Sequence, residues 1–147
     1  MIRVIFLHLE GEYGFILDEL LKKIDIHSMI WEIGFTEVFP TERFSADWMD
    51  VEAFGKLIKA EPDYLLRMGE FKAFPNKQDI VSINTYQDFI RSNCQIVILI
   101  DYSRYMDIYA KNLAVIEQIR ENSKNVGTEE VHYITDDNDE RTKMMVS

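Results

Sequence analysis

An α+β domain is the architecture this sequence predicts. It would be a single domain over residues 1–147, with one mixed, largely antiparallel sheet and about four helices mainly on one face. Three observations lead there. The run Gln95–Tyr102, QIVILIDY, is almost continuously apolar, as in a central strand covered on both sides. Segments of period two alternate along the chain with segments of helical period. Ser103-Arg104 then joins the central run to Tyr105–Ala110, a hairpin that argues against an all-parallel, doubly wound sheet.

The elements follow in order. Ile2–Leu9 is rich in β-formers and stops at Glu10-Gly11, so it reads as a strand. From Tyr13 the period changes: Leu17, Leu20, Leu21 and Ile24 share one helical face, and Lys22 and Lys23 suit the negative end of its dipole. Met29–Phe35 is a second strand that Gly34 weakens or ends. Phe39–Met49, FPTERFSADWM, is irregular and scattered with aromatic residues. Asp50 is placed to cap a helix whose stripe is Val51, Phe54, Leu57 and Ile58. Glu61-Pro62-Asp63 stops that helix, Tyr64–Phe74 is extended, and Phe74–Lys77 turns. A short strand at Ile80–Ile83 precedes a helix that Thr85 and Asp88 open at capping-box spacing. Met106, Ile108 and Ala110 alternate with Asp107 and Tyr109, which gives the hairpin strand one wetter face. Leu113, Ile116 and Ile119 define the last helix, and Gly127 is its natural C-terminal residue. Glu130–Ile134 is a further strand, with Thr142–Val146 as its expected partner.

Composition narrows the function classes. Nine Phe, seven Tyr and two Trp supply ample material for one core. The net charge is −10, divided as −6 over residues 1–75 and −4 over residues 76–147, so no acidic tail or basic arm exists. A uniformly acidic surface repels phosphate backbones and disfavours nucleic acid, while it attracts a basic protein. The one cysteine, Cys94, forms no internal disulfide, and this agrees with a reducing compartment. The N-terminus reads as a strand rather than a signal peptide, and the longest apolar run, Ile96–Ile100, is far too short to cross a bilayer. The expected setting is the cytoplasm, without membrane association; nothing in the sequence sets an oligomeric state.

Several clusters invite a chemical reading. Asp136, Asp137, Asn138, Asp139 and Glu140 form an unbroken polar row. A calcium loop begun at Asp136 would need Gly where Arg141 stands and Glu where Ser147 stands, so the row is read as a turn. His8, His27 and His132 have no metal-ligand spacing to one another or to Cys94. Cys94 lies in SNCQIVIL, which offers a nucleophile neither a base nor a positive setting. Glu10 and Glu12 flank Gly11 at a strand–helix turn, where helix-dipole chemistry accounts for them. No phosphate-cradling glycine loop, nucleophile elbow or zinc-protease motif is present, and no cofactor or metal is expected.

The run DIVSINTYQDFIRSNCQIVILIDYSRYMDIYAK, followed by EVHYITDDNDERT, resembles a bacterial family of short proteins without an assigned activity. Its members carry an EYG-F-L-E-L-like helix, here from Glu12 onward, and an INTYE-FL-S-CQ-VLLI segment, here Ile83–Ile100. They end in YITDENDTRT-like text, here Tyr133–Thr142, with Asp137 where the family has Glu. Phe39–Glu70 matches least. The resemblance implies a single bacterial intracellular domain and no mechanism.

The leading expectation is a non-catalytic, acidic interaction domain for a basic protein, of inhibitor or immunity type. Its partner-binding residues would be Phe44, Trp48, Asp136, Asp137, Asp139 and Glu140. The first alternative is a small-molecule binder or enzyme with a pocket near the Glu10–Tyr13 turn or the Phe39–Met49 loop. The second is a nucleic-acid mimic.

Overall fold

The strand Ile96–Asp101 has no polar side between Ile96 and Ile100, and the fold covers both of its faces. The computed structural model describes residues 4–9, 16–24, 29–59, 64–102, 105–126, 128–134 and 144. Within them the order is β1 (Val4–Leu9), α1 (Ile16–Leu20), β2 (Ile30–Phe39), β3 (Trp48–Asp50), α2 (Val51–Leu57) and β4 (Leu65–Phe74). There follow a 3-10 turn (Lys77–Asp79), α3 (Tyr86–Arg91), β5 (Ile96–Asp101), β6 (Tyr105–Ala110), α4 (Leu113–Ser123) and β7 (Thr128–Ile134). The seven strands form one sheet in the order β3-β2-β4-β5-β6-β1-β7, which puts β5 in the middle. Every ladder among the described residues is antiparallel, so the sheet is more uniform than the mixed one expected.

Side-chain alternation along β5 creates two cores. Ile96, Ile98 and Ile100 join Ile5, Trp31, Phe71 and Ile108 on the first face. Leu17, Leu20 and the following Leu21 and Ile24 from the α1 region, Phe54 of α2, and Ile116 and Ile119 of α4 cover that face. Val97 and Leu99 point to the second face and pack with Phe74, Ile83, Phe89, Cys94, Tyr109 and Met144. Phe89 of α3 meets Tyr109 edge-on at 6.1 Å. Three helices thus lie on one face and α3 on the other. Full burial of an aliphatic side chain contributes about 1.5–3 kcal/mol, so a strand buried on both faces draws cover to both.

Local chemistry sets the helix ends. Asp50 accepts from Ala53 N at 2.8 Å and caps α2. Thr85 and Asp88 form the complete capping box that opens α3. Asn122 of α4 donates to Leu20 O and Lys22 O, at 2.8 and 2.6 Å, which satisfies carbonyls that the end of α1 leaves open.

Three expectations change. β2 runs past Gly34 to Phe39, because a bulge absorbs the glycine. Ile33 faces Phe71 and Thr36 faces Gly69, so Gly34 and Phe35 together oppose Glu70. The irregular segment contains a strand, β3. No strand forms at residues 80–83: Ile83 is buried under α3 while Val81 is half exposed, and this stretch pairs with no strand. Of the expected terminal strand Thr142–Val146, only Met144 is described; its N–H donates to Asn84 O at 3.0 Å. Gly127 lies outside the described residues.

The bulge yields a test. Glu70 Oε2 accepts from Phe35 N at 2.8 Å, and a Cβ added at Gly34 would collide with that oxygen. Gly34→Ala is expected to lower stability by about 1.5–3 kcal/mol, the scale of a hydrogen bond to a charged group. In a Glu70→Ala background its cost shrinks but does not vanish, since the carboxylate is gone while the Cβ of residue 70 still lies 2.9 Å from the added one. Urea melts of the two single variants and the double variant measure this; strictly additive costs would rule out the coupling.

Candidate functional site

The sheet register builds the site. Glu32 on β2 faces Trp48 on one side and Lys72 of β4 on the other, so the three residues form one cross-strand row. Glu70, two residues before Lys72, lies on the same face. Glu70 and Lys72 are buried, at 7% and 8% exposure. Trp48 is 41% exposed on β3, which ends the sheet. Lys77, from the turn after β4, sets its ammonium 4.3 Å from the centroid of the Trp48 ring.

The electrostatics favour a cation. Partial burial pushes the Glu32 carboxyl above its ordinary value; Lys72 acts against this, and the negative charges of Glu70 and Asp47 add to it. Three carboxylates therefore bear on a region whose buried counter-charge is Lys72 alone among these residues. Such a region accepts a positive group or a hydrogen-bond donor, and the exposed indole adds an electron-rich face.

The residues singled out in the sequence fall differently. Phe44 is a core residue: it is 5% exposed and meets Phe71 edge-on at 5.1 Å. It offers no surface to a partner, because the Phe39–Met49 loop folds it inward against Phe54 and Phe71. The loop is tied down beside it. Arg43 donates to Leu57 O and Lys59 O, both at 2.9 Å, and lies 4.0 Å over the Tyr64 ring. Trp48, from the same loop, does reach the surface. Asp136, Asp137, Asp139 and Glu140 lie outside the described residues, as do the Glu10–Tyr13 turn and His27.

Other reactive residue types are held in structural roles. His8 stacks on Tyr105 with ring centroids 4.9 Å apart, and the backbone register sets His132 opposite Phe6. Burial pushes the Cys94 thiol up to about 12, and its Sγ donates to Ile96 O at 3.4 Å. The Lys111 ammonium bonds Ser92 O. Among the described residues no group of three or more His, Cys, Asp or Glu is arranged to hold a metal. Nor is any described helix long and apolar enough to cross a membrane. A separate cavity of about 250 Å³ opens between the end of α1 and the start of α4, lined by Lys23, Ile24, Asn112, Ala114, Val115 and Gln118. It is smaller than the ~300 Å³ at which ligand pockets usually begin.

Sequence reasoning passed over Glu32, Glu70, Lys72 and Lys77. In MGEFKAF the polar residues alternate with apolar ones, which reads as a strand with its charges in solvent. Their burial depends on what lies against that face of β4, and no local pattern records it.

Residues 2–145 match the model of a family described as a protein of unknown function, DUF2691. The chain belongs to this family. The uncharacterized protein YncE of Bacillus subtilis (strain 168) is 32% identical to this DUF2691 chain, over 99% of its length and 100% of the relative's. No solved structure matches it.

Two outcomes check the chemistry of the site and its surroundings. A soluble aromatic disulfide is expected to leave native Cys94 untouched at mildly alkaline pH and to react on unfolding in urea, since the thiolate is the reactive form. Absorbance of the released thiolate reads this, and rapid native labelling would contradict the buried assignment. For Glu32 the sign is the reverse of a salt-bridged acid. The folded state holds its proton more tightly than the unfolded state, so ionisation at neutral pH opposes folding. Glu32→Gln should therefore raise the urea midpoint at neutral pH, with the gain vanishing below the ordinary value of 4.5. Equal midpoint changes at both pH values would refute this.

Proposed function

We propose that the protein is a non-catalytic, acidic interaction domain that engages a basic protein partner in the cytoplasm, in the manner of an inhibitor or immunity-type neutraliser. The observation that carries this reading is Trp48, an exposed indole on the terminal strand of the sheet, beside the half-buried Glu32 carboxylate. Exposed aromatic residues on rigid elements are characteristic interface anchors. Here the anchor is held from behind: the adjacent Met49 is buried and Asp50 caps α2.

Charge supplies the second support. A net −10 on 147 residues draws a basic partner toward the domain and speeds encounter in low salt. At about 0.15 M ionic strength the field extends only ~8 Å, so a short-range anchor is needed to hold the complex. The thiol of Cys94 is buried and protonated, which fits a binding role better than nucleophilic catalysis.

The test is capture from bacterial lysate on the immobilised protein at low salt, with elution by rising salt. A basic protein should be retained, identified and then titrated in purified form. Trp48→Ala should weaken it by about 2 kcal/mol, the scale of an aromatic anchor. Glu32→Gln should weaken it less. The reading fails if no basic protein is retained, or if retention is indifferent to Trp48.

A further inference from the structure

We propose that the Trp48 ring is the seat for a lysine or arginine side chain of the partner, and that Lys77 fills that seat in the free protein. This rests on the reading that the partner is basic.

The behaviour of Lys77 is the starting point. It is exposed, and it belongs to a chain with 26 acidic residues. Its ammonium nevertheless makes no ion pair among the described residues and lies 4.3 Å from the Trp48 ring centroid. The turn that carries it is held independently of that contact. Asn76 donates to Asp79 Oδ2 at 3.2 Å, and Asn93 donates to Asp79 Oδ1 at 3.0 Å. Lys77 can leave the ring without loss of either bond.

The ring is as well placed for a cation from outside. Glu32 faces Trp48 across the β2–β3 ladder, and the Asp47 charge bears on Glu32. An arriving cation therefore meets an indole face and a carboxylate together. An exposed lysine–indole contact amounts to roughly a two- to fivefold preference, so displacement of Lys77 is easy. Arginine would be the stronger occupant, because its planar, weakly hydrated guanidinium stacks on the indole and still donates to a carboxylate.

An acetylated and amidated hexa-arginine peptide is the probe, with hexa-citrulline as the uncharged control. Trp31 is fully buried, so quenching by a soluble agent reports on Trp48. Hexa-arginine should alter Trp48 fluorescence and protect it from the quencher, while hexa-citrulline should not. Lys77→Ala should tighten peptide binding by roughly two- to fivefold. Lys124→Ala, at the residue that caps the C-terminal end of α4, makes the same change in net charge away from the ring and should tighten it less. Trp48→Leu should weaken binding and abolish the difference between the two lysine variants. The inference is overturned if the peptide binds Trp48→Leu as well as it binds the parent, or if the two lysine variants tighten binding equally. Either result leaves the acidic-domain reading intact, because long-range charge alone then accounts for binding. Absence of peptide binding at low salt also overturns the seat, and lysate capture then judges the broader reading on its own.

Discussion

The constraint on which the rest of the structure depends is the burial of β5 on both faces. Five consecutive apolar residues, Ile96–Ile100, cannot be half in water, so both sides of the sheet must be covered at its centre. Antiparallel neighbours β4 and β6 satisfy the backbone, and helices from other parts of the chain satisfy the side chains. One side receives α1, α2 and α4. The other receives α3 and the connection between β4 and β5, with Tyr86 and Phe89 resting on Tyr109. A single strand thereby specifies a three-layer arrangement.

The candidate site lies on β4, β2 and β3, away from that centre. On the second face β4 passes from Phe74, packed in the α3 core, to Lys72 and Glu70. These charges are buried, so each must be compensated in place. Glu70 takes the Phe35 amide in the bulge, and the ammonium of Lys72 acts on Glu32. The bulge and the charge row are one construction: the extra residue in β2 turns an amide toward the carboxylate, and glycine at position 34 leaves room for it. Trp48 stands at the outer end of this construction.

Particular residues show how far local pattern carries. The capping box of Thr85 and Asp88 and the cap at Asp50 were legible, because capping is chemistry between residues three apart in sequence. The β5–β6 hairpin was legible because its period is local as well, but the wetter face expected at Asp107 and Tyr109 did not follow: Tyr109 is fully buried, because α3 sets Phe89 against it. β3 was not: three residues carry too little alternation to be recognised, and WMD becomes a strand only because β2 lies beside it. Ile80–Ile83 failed in the opposite way, having β-forming composition and no strand to pair with. Phe44 and Trp48 look equivalent in FPTERFSADWM, yet one closes the aromatic cluster of Trp31, Phe54 and Phe71 and the other faces solvent.

The sequence by itself determined the α+β class, the central buried strand, the helix caps and the acidic character of the surface, since each follows from composition or from contacts a few residues long. Tertiary structure decided which face each helix covers, the buried carboxylate–lysine row, and the meeting of Lys77 with Trp48. Those depend on cross-strand neighbours tens of residues apart. A period-two pattern states that a strand has two sides, and only packing assigns what lies against each.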